Sequence, residues 1–359
     1  MSEQNVRLTF RGGGWVLALL AFVILAIIIW AVAPAVLRLS NHSPGDGTTV
    51  ASYEFDLSNT TLEDGTFIAV MQHRDMSPVL LNPLILTAEE LAAKNSNKRN
   101  QFLVSDDLVV GLDIDGETRT YPLHMLNVHE IVNDTLGGTP IVIYWNWPSG
   151  YVGVYERVIA NEVVNFGISG LSGNGIMLMY PTKTDAGGEQ LFSPMLGKSV
   201  TGEPVQLKPI THEVTSWKDW ITRHPETTSL SPDGQYKKRY RKGDPRQYFL
   251  NDTIYFPVSE MPADGADPKT HVVILEGAGK EIIYAIQDLV AIADENGKVT
   301  VDVSGDQVTF TVAASPLFAI ARDTSGNTIP TQRSLWFTWY ANHPGAVIAE
   351  PRASNFTLK

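Results

Sequence analysis

Residues 107–150 read DLVVGLDIDGETRTYPLHMLNVHEIVNDTLGGTPIVIYWNWPSG. Val109 and Val110 open a strand, Asp115-Gly116 supply turn residues, and Thr118 to Tyr121 run back, which is the pattern of a β-hairpin. Pro122 then suits the opening of a short helix. Asn133-Asp134 turn or cap the chain into a second hairpin at Gly137-Gly138, which leads into a strand over 141–144.

The same pattern returns further along. Val109-Val110-x-Leu112-Asp113-x-x-Gly116 with Tyr121-x-Leu123-x-x-Leu126 matches Val272-Val273-x-Leu275-Glu276-x-x-Gly279 with Tyr284-x-Ile286-x-x-Leu289 at a constant offset of 163. Trp217-x-x-Trp220-x-x-x-His224-Pro225 matches Trp336-x-x-Trp339-x-x-x-His343-Pro344 at an offset of 119. Positions i, i+3 and i+7 share a helix face, and proline stops the helix. The aromatic run 336–340 also fits a strand. These matches predict two related lobes, 107–230 and 271–347, that share one core. Val109 to Pro225 spans 116 positions and Val272 to Pro344 only 72, so the first lobe carries about 44 extra residues, placed between Tyr144 and Gly202. Thr87-Ala88-Glu89-Glu90 fits a capping box opening a short helix. Short β-branched runs at 151–158, 162–168, 176–180, 299–303 and 307–312 read as strands. The expected fold class is α+β: a strand-rich body of two hairpin-plus-helix lobes, preceded by one transmembrane helix.

Residues 14–37 hold no charge over 24 positions, enough to cross a hydrocarbon core of about 30 Å. Arg7 and Arg11 precede this stretch and Asp46, Glu54 and Asp56 follow, so the positive-inside rule sets residues 1–13 in the cytoplasm. Residues 38–52 read as a linker. Residues 53–359 form the main domain, periplasmic or extracellular. Ala31-Val32-Ala33 has the form of a signal-peptide cleavage site, but Pro34 and the length of the apolar run favour an uncleaved anchor. The membrane is therefore one expected partner, and an envelope protein a second. A net charge of −12 and a pI near 5.1 argue against nucleic acid. The basic run Lys237-Lys238-Arg239 with Arg241-Lys242 reads as a solvated loop.

Tyr121-Pro122-Leu123, the block His129-Glu130-Ile131-Val132-Asn133-Asp134 and Gly137-Gly138 resemble the bacterial family termed domain of unknown function 3179. VNFGISGLSGNGIMLMY over 164–180 and LFSPMLGKSVTGE over 191–203 also resemble it, so the likeness runs over about 75–345. The resemblance implies a Cys-Pro-x-Cys motif, or a selenocysteine form, after the Gly-Gly hairpin, and with it a thiol or selenol redox or metal site. Here the place reads Trp145-Asn146-Trp147-Pro148, with Trp145 where the first cysteine would stand and Pro148 roughly where the second would. A chain with no cysteine cannot run thiol chemistry.

Polar residues present in one lobe and missing from the other need a reason besides the fold. The candidate binding residues are His129, Glu130, Asn133, Asp134, Tyr144, Trp145, Trp147 and Asn174; no catalytic, metal-binding or cofactor-binding residue is assigned. His129-Glu130-x-x-Asn133 has asparagine where a zinc HExxH motif needs its second histidine. If 122–131 is helical, His129 and Glu130 point about 100° apart. Trp145 and Trp147 share a face if extended, and either fill the vacated pocket or form an aromatic surface. Two functional readings stand: a non-redox binding or accessory protein, and an envelope oxidoreductase-like or metal-dependent enzyme working through His129 and Glu130.

Overall fold

Residues Gly14–Ser40 form one helix, α1, in the computed structural model of the chain, which describes residues 14–40, 43–63, 65–96, 101–182, 189–240, 245–277 and 279–352. The N-terminus assigned to the cytoplasm, 1–13, and the basic pair Arg241-Lys242 lie outside the described residues. Among those described, α1 alone is long and apolar enough to cross a membrane, and its side chains from Trp15 to Val32 are exposed.

Residues 45–359 make a separate compact unit. The expected hairpin forms between β1 (Leu108–Ile114) and β2 (Glu117–Pro122), followed by α2 (Leu123–His129). A three-stranded meander follows: β3 (Ile131–Leu136), β4 (Thr139–Asn146) and β5 (Tyr151–Glu156). Gly137 and Gly138, at φ +54° and +72°, make the tight turn between β3 and β4. The long strands β6 (Asn165–Gly173) and β7 (Ile176–Thr182) lie within the extra residues of the first repeat and form a sheet with Phe67–Ala69, Phe192–Ser193 and Lys198–Ser199. The chain then returns to β1 through β8 (Glu213–Ser216), turns into α3 (Trp217–Arg223) and lays β9 (Thr228–Leu230) parallel to β2.

The second repeat follows the same course with β10 (His271–Gly277), β11 (Lys280–Ala285), α4 (Ile286–Ala291), β12 (Lys298–Val303), β13 (Asp306–Ala314), β14 (Leu317–Arg322), β15 (Gln332–Leu335) and α5 (Trp336–Asn342). Both sequence offsets recur in the pairing register. Val109 faces Pro122 as Val272 faces Ala285, and Thr215 faces Val109 as Ser334 faces Val272. Thr120 lies parallel to Ser229 as Ile283 does to Ile348.

The body is a strand-rich α+β structure whose sheets form a propeller-like ring, in which the two repeats share one core and do not stand out as lobes. The physical reason is reciprocal packing: β5 of the first repeat lies against β15, and β14 of the second lies against β8. One apolar cluster therefore mixes Tyr144 and Tyr151 with Ile274, Trp336 and Trp339.

The aromatic run that also fitted a strand is helix α5. Trp336, Phe337, Thr338, Trp339 and Ala341 are all buried, and a helix enclosed on most sides tolerates such a sequence. His343 stacks on Trp339 at 4.0 Å between ring centroids, as His224 stacks on Trp220 at 4.1 Å. Thr87 and Glu90 make the reciprocal capping bonds expected of them.

Candidate functional site

Helix α2 ends at His129, so Glu130 is not helical. Glu130 has φ +57° and ψ −41°, a backbone geometry costing on the order of 1–3 kcal/mol for a residue other than glycine. Its N–H donates to Leu126 O at 2.8 Å to close the helix, and its carbonyl accepts from Trp145 N–H at 2.8 Å to continue the β3–β4 ladder. This junction sends the His129 and Glu130 side chains to different surroundings.

His129 is fully buried. Nδ1–H donates to Pro78 O at 2.5 Å, which leaves Nε2 to accept from the Tyr240 hydroxyl at 2.9 Å. Both ring nitrogens are thus engaged, and burial lowers the affinity of the imidazole for a second proton.

Glu130 is 6% exposed, and burial pushes its carboxyl up to about 7. Ser77 donates to Oε1 at 2.6 Å. The Asn146 amide lies beside the same carboxyl and favours its charged form, but neither amide atom completes a hydrogen bond among the described residues. Asn146 is 1% exposed, so both atoms are orphaned in the interior. Tyr144 stands close enough for Glu130 to oppose ionisation of its phenol, whose largest upward push is burial, and its hydroxyl donates to Met177 O at 2.7 Å.

The other candidate residues are tied into the fold. Asp134 accepts from Arg119 at 2.7 Å and from the Tyr121 hydroxyl at 2.8 Å, both on Oδ2, while Oδ1 takes Thr135 N–H at 2.8 Å. Asn133 donates to Phe166 O at 2.9 Å and accepts from Phe166 N–H at 2.7 Å, so its amide joins β3 to β6 as a backbone rung would. Asn174, at φ +50° in the β6–β7 turn, donates to Ala341 O at 2.7 Å and accepts from Ser259 N–H at 2.8 Å. Its partners hold α5 and are not those of His129 or Glu130.

Trp145 and Trp147 do not share one extended strand: β4 stops at Asn146 and Trp147 lies in the turn that follows. Trp145 is 4% exposed and donates from Nε1 to Asn127 Oδ1 at 2.8 Å. Trp147 meets the rings of Tyr248 and Tyr255 edge-on at 5.2 and 5.5 Å.

The cluster that does assemble is Glu130, Asn146, Ser77 and Tyr144, while His129 is held apart by Pro78 and Tyr240. Ser77 and Pro78 grip consecutive residues, Glu130 and His129, from 53 and 51 positions upstream. Sequence reasoning missed Ser77, Pro78, Tyr240 and Asn146. Asn146 alone carried a signal, since it falls inside the four residues that replace the expected cysteine motif.

A family model described as a protein of unknown function, DUF3179, matches residues 78–346. The chain belongs to the DUF3179 family. No curated protein and no solved structure matches it. The DUF3179 match begins at Pro78, the residue that fixes His129, and it takes in both sequence repeats and the extra strands between them. Helix α1 lies outside the DUF3179 region.

Proposed function

We propose that this chain is a membrane-anchored DUF3179 protein, its body facing the periplasm or the exterior, that acts by binding as an accessory or assembly factor without thiol redox chemistry. The observation that carries the reading is the filled strand end: Trp145 is packed and hydrogen-bonded at a position where the resemblance implies sulfur. Anchoring through α1 and a body outside the cytoplasm are supported by the length of the helix and by Arg7 and Arg11 before it. The matched pairing registers support reading 107–230 and 271–347 as a duplication within one ring.

Purification from native membranes in mild detergent, with mass spectrometry of co-purifying proteins and elemental analysis of the same sample, tests this reading. It expects a stoichiometric envelope protein. Near-stoichiometric copper, zinc or iron without a protein partner would overturn it.

One observation favours a second reading, an envelope enzyme. Glu130 combines a strained backbone, a carboxyl pushed up to about 7 and an orphaned Asn146, and perturbed groups of this kind cluster at sites of proton transfer. In that reading Glu130 is the acid–base group, its carboxyl held by Ser77, and His129 fixes the adjoining chain through Pro78 and Tyr240. Turnover that survives Glu130→Gln would rule this out.

A further inference from the structure

A cavity of about 430 Å³ is lined by neither Glu130 nor its partners. It lies where the two repeats meet, between β5, β10 and the segments that approach β8 and β15. Those segments, Ile210-Thr211-His212 and Ile329-Pro330-Thr331, correspond at the same offset of 119 that relates the tryptophan helices, so the repeats supply opposing walls. The volume falls in the range of about 300–1,000 Å³ usual for small-molecule sites.

The polar groups differ between the repeats, and the differences give the cavity its chemistry. Gln332 stands where the first repeat has Glu213. Its Oε1 accepts from the Tyr151 hydroxyl at 3.1 Å, and its Nε2 has no partner among the described residues. His212 stands where the second repeat has Thr331. Its Nδ1–H donates to Ile210 O at 3.1 Å, so the neutral ring keeps Nε2 as an acceptor, and burial favours that neutral form. Glu281 stands where the first repeat has Thr118, and among the described residues it contributes the only carboxylate to the lining. The nearest basic group to Glu281 is His343, with Nε2 at 3.7 Å. Among the described residues no lysine or arginine lines the cavity. Arg333 follows Gln332 on β15 and so faces the other side of the strand, where it donates to Leu317 O at 2.8 Å. Tyr151, Tyr155 and Ile274 supply aromatic and aliphatic walls.

We propose that this cavity binds a small organic amine with an apolar body, its ammonium group at Glu281 and its body between the tyrosines and Ile274. An ammonium group meets a carboxylate beside aromatic side chains, and an anion meets repulsion from Glu281 that His343 offsets only when protonated. The proposal rests on the binding reading above and gives it a ligand class and a place.

The test uses the full chain in nanodiscs of zwitterionic lipid, with empty nanodiscs as blank, and titrates three isosteric probes by calorimetry: tryptamine, tryptophol and indole-3-acetate. The expected order is amine, alcohol, acid, with tryptamine bound at least about tenfold more tightly than indole-3-acetate. Glu281→Gln removes the preference for the amine over the acid, and an unchanged thermal unfolding midpoint reports that the variant is folded. Equal affinity for acid and amine, a preference that survives Glu281→Gln, or no binding of any probe overturns the proposal. A stoichiometric envelope partner found alongside any of these failures leaves the binding reading standing and removes only the amine site.

Discussion

Ser77 donates its hydroxyl proton to Glu130 Oε1 at 2.6 Å, across 53 positions of sequence and onto a residue whose own backbone is strained. The bond supplies part of the solvation that Glu130 lost on burial and fixes where the carboxyl stands. It does not cancel the cost of the charge, since the carboxyl is still pushed up to about 7.

That upward shift has a sign in stability. Between the ordinary value of 4.5 and about 7 the folded state holds a proton that the unfolded state has released. The stability contributed by this group is full below 4.5 and is lost as pH rises toward 7, by on the order of 3 kcal/mol in all. Glu130→Gln keeps an acceptor for Ser77 and removes the ionisation. Urea denaturation is expected to show the variant equal to the parent at pH 4 and more stable at pH 8; matching profiles across that range would exclude the assignment.

Asn146 makes a different prediction. Both atoms of its amide are buried without partners, so Asn146→Leu, similar in volume, removes two unsatisfied groups. The expected change in thermal midpoint is zero or upward, although the residue lies in the core. A fall corresponding to more than about 1 kcal/mol would show that the amide is satisfied in the folded state by the Glu130 carboxyl beside it.

Asp134 is the opposite case. Its carboxylate serves Arg119, Tyr121 and a backbone N–H at once, with side-chain exposures of 13% for Arg119 and 8% for Asp134. Asp134→Ala leaves the Tyr121 phenol without its acceptor and the Arg119 guanidinium without its counter-ion, with Thr135 O and Thr228 Oγ1 remaining to it, and is expected to cost about 3 kcal/mol in denaturant unfolding. A loss below about 1 kcal/mol would place this pair with ordinary surface ion pairs.

Gly111 is fixed by contact and not by its backbone angles. A methyl group there would run into the indole ring of Trp220, which is 1% exposed and donates to Thr227 Oγ1 at 3.0 Å. Gly111→Ala is expected to destabilise by about 3 kcal/mol, and Gly116→Ala, with nothing within 4 Å of the added group, by less. Equal losses at the two sites would show that the turn geometry at Gly116, φ +81°, outweighs the packing at Gly111.

The repeats were legible because hairpins and short helices write their periods locally, and the offsets of 163 and 119 survive as hydrogen-bond register. The ring was not legible, because which face of β5 covers which face of β15 depends on contacts between segments far apart in the chain. The same limit hid the site. His129 and Glu130 stood out as a pair, but their separation depends on one backbone angle at Glu130, and their partners Pro78 and Ser77 lie in a stretch with no pattern of its own. The tryptophans were read as one face because alternation was extended one residue past the end of β4.

The side chain of Asn133 acts as a rung between two strands, and this has a consequence for how the protein can be made. Asn133-Asp134-Thr135 is an acceptor sequence for N-linked glycosylation. Oligosaccharyl transfer replaces one proton of the amide nitrogen that donates to Phe166 O and leaves the other, but it adds a glycan at a residue with no exposed surface. In a eukaryotic secretory host a chain that carries sugar at Asn133 has no room to close β3 onto β6, so a glycan at that one asparagine marks misfolded product.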